Sequence, residues 1–362
     1  MRYTIRLTVC SFVLVAVAGF SAAGTEFEVL TDFPKAASGA YGVKAEGLPD
    51  GRFIVWNGDA VFVQTIVGGN AFKQIASGYA GDPGFSAVSP DGHTVLLGAG
   101  YSGELYKLDV WAPVSYSPGS EAATVTHYYG VYLTQDLVLL DRATDDLPTT
   151  ELVVVDLSSP SPVPVRVMLK PDQDDLPGDE SGASACLAIN SSRTTVYTMD
   201  LVYDGWTLVS NQLKKISVSA LIGAYQAKTV LDWNTDAIAI GSPGAFNSGG
   251  PAGVSSNEEL FIGGFGGVQR VNPITATVVE TYDPAGAFEY YGVANNPYRD
   301  IVLPIVADPA DHSMDVVYAP EGAFAAVPAL GGVGLAMVVA MVMLCGAWRL
   351  AGHRRDARPS GG

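Results

Sequence analysis

Cysteine is nearly absent from this chain of 362 residues, which has three. Cys10 lies in an apolar leader and Cys345 in an apolar C-terminal run, so Cys186 is alone in the body between them. An internal disulfide framework and a multi-cysteine zinc site are thereby excluded from that body. Cys186 sits in Ala183-Ser184-Ala185-Cys186-Leu187 and reads as a small buried apolar residue. Histidine is also sparse: the body holds His93, His127 and His312, and neither H-E-x-x-H nor G-x-S-x-G occurs. The usual zinc-protease and nucleophile-elbow chemistries therefore have no footing. Positive charge is short as well, with 20 Lys and Arg against 37 Asp and Glu. Six of those bases and one of those acids lie in the terminal segments described below, which leaves residues 24–326 with 14 bases, 36 acids and a net charge of −22. Such a surface repels nucleic acid and anionic lipid, and favours solubility outside the cell and cationic or basic partners.

What the chain does have is glycine, 41 residues of it, together with frequent Val, Thr and Tyr, a composition of strands and turns. The most informative stretch runs from Phe85 to Asp109. Small and apolar residues lead into Ser89-Pro90-Asp91-Gly92, where proline presets φ, Asp91 can bond its own backbone and Gly92 can take φ > 0. Thr94-Val95-Leu96-Leu97 follows, then a second strand from Glu104 to Val110. The unit recurs. Leu48-Pro49-Asp50-Gly51 precedes Phe53-Ile54-Val55, and Thr134-Gln135-Asp136 precedes Val138-Leu139-Leu140. Asn190-Ser191-Ser192-Arg193 precedes Thr195-Val196-Tyr197, Ser255-Ser256-Asn257-Glu258 precedes Leu260-Phe261-Ile262, and Asn295-Asn296-Pro297 lies ahead of Ile301-Val302.

A period of roughly 40 to 45 residues with about four short strands per unit is the signature of propeller blades. The expected fold is therefore all-β, a six- or seven-bladed β-propeller over residues 24–320. Candidate blades fall at about 41–80, 81–125, 126–180, 181–243 and 244–287, and the remainder to Pro320 shares strands with the N-terminus. A short strand at Glu26 to Leu30 is expected to complete the last blade and close the ring. Lys228 to Ile240 could hide part of a further blade. The Ser-Pro-Asp-Gly turn before a strand resembles that of YVTN, WD-like and lactonase-like propeller repeats, and the resemblance implies either a binding module or a metal-dependent hydrolase.

Both ends carry topological signals. Arg2 and Arg6, the apolar run from Leu7 to Phe20 and the small Ser21-Ala22-Ala23 describe a signal peptide over residues 1–23, with an uncleaved anchor as the alternative. After a spacer at 321–326, residues 327–348 carry no charge and are long enough to cross a bilayer. Arg349, His353, Arg354, Arg355 and Arg358 follow, so the tail at 349–362 is expected in the cytoplasm and the body outside. This tail resembles PEP-CTERM and IPTL-CTERM sorting signals, through Val327-Pro328-Ala329-Leu330, the apolar run and the arginine cluster. Gly331-Gly332 also resembles the GlyGly-CTERM variant, while Pro-Glu-Pro itself is absent. The resemblance implies a sorting protease as partner and a body transferred to the cell surface or released.

Three sets of residues are candidates for chemistry. Gly98-Ala99-Gly100-Tyr101-Ser102-Gly103 fits G-x-G-x-x-G, but a strand rather than a helix is expected to follow, which rules out the dinucleotide reading. Asp172, Asp174, Asp175, Asp179 and Glu180 lie in one acidic stretch that either is a solvated loop or supplies oxygen ligands for weak Ca²⁺ binding; it lacks the EF-hand glycine and flanking helices. Tyr41, Tyr129 and Tyr291 share the word Tyr-Gly-Val and are either ligand-binding residues at the channel mouth or packing residues at equivalent places between blades. The leading functional reading is an exported, membrane- or surface-anchored module that binds a protein or a small molecule without a cofactor. The alternative is a lactonase-like hydrolase built around a divalent ion at the channel.

Overall fold

The computed structural model describes residues 27–320 except 30–32, 38–42, 79–82, 100–104, 111–128, 145–146, 160–161, 170–178, 181–183, 205–206, 244–251, 255–257, 265–266, 283–289, 297–300 and 308–314. After β1 (Phe27–Val29), the chain forms a first meander from β2 (Lys44–Gly47), β3 (Phe53–Trp56), β4 (Ala60–Gln64) and β5 (Phe72–Ser77). The second sheet holds β6 (Pro83–Val88), β7 (Thr94–Ala99) and β8 (Leu105–Asp109). The third holds β9 (Gly130–Tyr132), β10 (Leu137–Thr144), β11 (Leu147–Asp156) and β12 (Val165–Leu169). The fourth is built from β13 (Asp179–Glu180), β14 (Ser184–Ile189), β15 (Thr195–Asp204), β16 (Thr207–Ser217) and β18 (Ile238–Gly241); between β16 and β18 the chain forms helix α1 (Val218–Ala227) and β17 (Leu231–Asp232), the fifth strand of the third sheet. The fifth comprises β19 (Ala252–Val254), β20 (Leu260–Gly264), β21 (Gly267–Val271) and β22 (Val278–Tyr282), and the last β23 (Tyr290–Asn296), β24 (Ile301–Ala307) and β25 (Asp315–Pro320).

These sheets stand in a ring. The first full strand of each packs on that of the next: β2 on β6, β6 on β9, β9 on β14, β14 on β19, β19 on β23, and β23 back on β2. The architecture is an all-β propeller with those six strands innermost. Closure is as expected, since β1 pairs antiparallel with β25 and becomes the outer strand of the last sheet, with Glu28 opposite Ala319.

The blade count is corrected. Five sheets have four or five strands and are complete blades, while the second has three among the described residues, so six or seven complete blades are not observed. The reason lies between Asp136 and Asn257, where the period loosens. Long hairpins, β10 with β11 and β15 with β16, use up the chain length there. Residues 228–240 do not begin another blade. Instead α1 and β17 leave the fourth sheet, β17 pairs parallel with β12 at the outer edge of the third, and β18 returns to pair with β16. Ser217 caps the helix N-terminus, and Lys228 ends it in the left-handed region. Lys214, buried at 5% exposure, anchors the returning segment. Its Nζ lies 3.3 Å from Asp200 Oδ2 and 4.7 Å above the Trp233 ring, whose Nε1 donates to the same carboxylate at 3.2 Å.

Each sheet is covered on both faces by its neighbours, which is why Phe53, Ile54, Val55 and Trp56 are all buried. Leu48, Ile54, Trp56 and Val63 of the first sheet share a core with Val95, Leu97 and Leu108 of the second. Phe85 of the second wedges between Gly98 and Gly130, where a Cβ would stand 2.0 Å and 2.4 Å from its ring. Gly130 of the Tyr-Gly-Val word is therefore small because a phenyl ring from the preceding blade occupies its side-chain space.

The repeated turns connect the innermost strand of each blade to the second, and they touch one another around the ring. Ser89 Oγ donates to Asp91 Oδ1 (2.6 Å), which also accepts from His93 N (3.0 Å), while Gly92 N closes the turn on Ser89 O (2.8 Å). These bonds hold the Asp91 carboxyl below its ordinary value, the Ser89 hydroxyl being the largest cause. Gly92 (φ +72°) lies against Pro49 of the preceding turn. Asp91 is bonded by the Gln135 side chain of the following turn. Arg193 Nη1 donates to Tyr132 O at 2.7 Å, and Ser191 Oγ donates to Glu258. Arg193 (φ 53°) and Glu258 (φ 63°) occupy the left-handed place that glycine fills in the first two copies.

This contact separates two glycines. Gly92→Ala should lower stability by about 2–4 kcal/mol, because backbone strain adds to a Cβ only 2.4 Å from Pro49. Gly78→Ala, at φ +91° with nothing within 4 Å, should cost only about 1 kcal/mol. Denaturant midpoints of the two variants check the difference; equal losses would mean that the turns do not support one another.

Candidate functional site

Alternation along an innermost strand sends successive side chains to opposite neighbours. The turn-closing N–H groups of Leu48, Ser89, Leu133 and Asn190 align the repeats. Two residues earlier, pointing towards the following blade, stand Glu46, Ala87, Val131 and Ala188. Three of these are apolar and join inter-blade cores. Glu46 is the exception.

The pairing fixes its direction. Glu46 lies opposite Ile54 and Lys44 opposite Trp56, and Ile54, Trp56 and Leu48 all face the second blade. From the other side, Ser86 is opposite Leu97 and Val88 opposite Val95, all on the face towards the first blade. Glu46, Lys44 and Ser86, on innermost strands, and Trp56, on the second strand with its ring edge-on to Tyr106 of the second blade, thus share the seam between these blades. Ser86 is 7% exposed and Trp56 1%, and neither Ser86 Oγ nor Trp56 Nε1 has a hydrogen-bond partner among the described residues. Burial pushes the Glu46 carboxyl up to about 8, against the opposing pull of Lys44. Glu46 retains a little solvent-accessible surface, yet the protein around it is dense enough to leave the carboxyl poorly solvated. The sequences of the six innermost strands contain one carboxylate, Glu46, and one cationic side chain, Lys44. The rest are small, apolar, hydroxyl, thiol, amide or phenol residues.

The candidate residues read from the sequence fall elsewhere. Tyr41, Asp172, Asp174 and Asp175 lie outside the described residues, as do His127, His312, the leader and residues 327–348. Asp179 and Glu180 form β13, whose register sets them opposite Asp204 and Tyr203 of β15. No group of three His, Cys, Asp or Glu among the described residues could hold a metal ion, and no helix among them is long and apolar enough to cross a membrane. Tyr129 packs against the core between the third and fourth blades, and its N–H donates to Asp141 Oδ1 at 2.6 Å. Tyr291 sits at a register irregularity in β23. In the sequence Tyr129 precedes the turn-closing Leu133 by four residues and Tyr41 precedes Leu48 by seven. A strand, β8, follows the glycine-rich stretch at 98–103, so the rejection of a dinucleotide site stands. His93 is exposed, as its turn position implies.

No family model and no curated protein matches the sequence. Solved structures do match in fold. The WD40 β-propeller domain of Doa1 aligns with a TM-score of 0.50 at 9% identity, over 84% of this chain and 100% of that one. A gluconolactonase from Xanthomonas campestris aligns with a TM-score of 0.52 at 9% identity, over 81% and 89%. Regucalcin from Agrobacterium tumefaciens, described as a calcium-binding protein, aligns with a TM-score of 0.52 at 11% identity, over 81% and 94%. At these identities the likeness establishes the β-propeller fold.

Glu46 makes stability depend on pH. Its folded pKa of about 8 exceeds the unfolded value of 4.5, so the folded state binds the proton more tightly. The stability that this proton contributes is complete below the unfolded value and is lost as pH rises through about 8. Glu46→Gln should raise the Tm at about pH 9 by about 4 °C and leave it nearly unchanged at about pH 4. Thermal melts across that range check it.

Proposed function

We propose that the chain is an exported β-propeller that works as a binding module for a protein or small-molecule ligand. It is held at the membrane by residues 327–348, with the body on the outer side, until a sorting protease transfers it to the cell surface or releases it. The observation that carries the binding reading is the make-up of the innermost strands. A hydrolase built on a divalent ion at the axis needs several oxygen or nitrogen ligands converging from different blades. These strands supply one carboxylate and otherwise small, apolar or uncharged polar side chains. The WD40 domain of Doa1 has the same fold, and its name places it in a class of propellers without implying catalysis.

A metal-dependent hydrolase is the second reading. It is favoured by the backbone register that sets Asp179 opposite Asp204, next in sequence to the acidic stretch that begins at Asp172. The gluconolactonase and the calcium-binding regucalcin show that the fold accommodates such proteins.

Metal content of the purified full-length chain, with melting before and after chelation, separates the two. The binding reading expects no stoichiometric ion and an unchanged Tm. An ion held at a hundred times its Kd adds about 2.7 kcal/mol, so a stoichiometric metal whose removal lowers the Tm by about 5 °C would transfer the assignment to the hydrolase.

A further inference from the structure

The seam between the first two blades does not follow the rule of the others. At the same height, the second and third blades meet through Phe85, Ala87 and Tyr132, whose single buried hydroxyl also has no partner among the described residues, and the third and fourth through Val131, Leu133 and Leu187. The fourth and fifth meet through Ala188 and Val254. Only the first seam among these places a carboxyl, a hydroxyl, an ammonium and an indole N–H together. Two of these groups, Ser86 Oγ and Trp56 Nε1, are more than nine-tenths buried and unpartnered among the described residues. Leaving a buried donor unsatisfied costs about 1–3 kcal/mol, so two in one seam favour a guest that accepts hydrogen bonds.

The chemistry of the groups selects the guest. Trp56 Nε1 can only donate, Lys44 Nζ can only donate, and the Ser86 hydroxyl can donate. Glu46 is the one group able to accept strongly, and when protonated it too donates. A divalent cation would meet a single carboxylate beside an ammonium, which is a poor ligand set. A small carboxylate would meet donors from both blades and a balancing positive charge.

We propose that the seam between the first and second blades is a binding site for the carboxylate group of a small organic acid, with Ser86 and Trp56 as donors, Lys44 as the balancing charge and Glu46 as the fourth partner. This site deepens the binding-module reading and rests on it. Binding takes place with Glu46 in its acid form, because an ionised Glu46 would repel the guest. The elements packed around Glu46 contribute little other titration. Lys44 is the charged neighbour on its own strand, β3 and β6 carry no ionisable side chain, and the ionisable residues in the sequence of β23 are Tyr290 and Tyr291. Affinity therefore depends on the Glu46 proton and falls as pH rises through about 8.

The test is calorimetric titration of the full-length chain with sodium acetate, against sodium chloride at equal ionic strength. Acetate should bind and chloride should not. Affinity should drop by roughly thirtyfold between about pH 6.5 and about pH 9.5, as one linked proton demands. Glu46→Gln, which keeps a donor without a charge, should bind acetate with an affinity that varies less than about twofold over that range. Ser86→Ala and Trp56→Phe should each weaken binding by roughly tenfold, and circular dichroism of each confirms that it is folded. Acetate that behaves like chloride, affinity that rises with pH, or unchanged binding in folded Ser86→Ala and Trp56→Phe would each overturn the site. Failure of the binding-module reading itself would appear separately, as a stoichiometric metal in the chelation experiment.

Discussion

Every blade of this propeller lies between two others, and that single constraint governs most of what its sequence does. A sheet buried on both faces cannot alternate apolar with polar residues, so its strands become apolar throughout, as Phe53 to Trp56 are. Adjacent sheets must also interdigitate, so large residues in one blade require small ones in the next. Phe85 between Gly98 and Gly130 is the clearest case. Burying one aliphatic or aromatic side chain contributes about 1.5–3 kcal/mol, and the inter-blade seams contain several each. The turns at the inner strand ends add a polar counterpart, since those of the first five blades meet their neighbours through contacts or hydrogen bonds.

Against that background a polar seam is costly and informative. Glu46 replaces the alanine or valine of the equivalent positions, and its carboxyl responds by holding a proton near neutral pH. Ser86 and the Trp56 indole face the same seam from opposite blades. A buried polar group that packing does not need is where function is most economically sought. The buried Lys214–Asp200–Trp233 group differs in kind, because its members bond one another and fasten the excursion from the fourth sheet to the third.

Much of the fold was legible in the residues. Ser89-Pro90-Asp91-Gly92 contains its own instructions, and the structure forms the turn with the bonds those side chains suggest. The N-terminal strand closes the ring on Pro320 and its neighbours as the repeat count requires. The blade count was not legible, because α1 and β17 pair with the third sheet, and no local pattern announces a partner supplied by another blade. The polar seam was readable in principle. Aligning the copies on their turn-closing residues exposes Glu46 among alanines and valine, but its importance depends on Ser86 and Trp56, which meet it only across two blades.

The central claim is that Glu46 is half-buried in an inter-blade seam and carries a proton at neutral pH. Infrared difference spectroscopy between the wild-type chain and Glu46→Gln, at pH 7, tests this directly. The account predicts a protonated-carboxyl C=O stretch that the variant lacks and that titrates away around pH 8. A carboxylate band already present at pH 7, with no protonated-carboxyl signal assigned to Glu46, would contradict it.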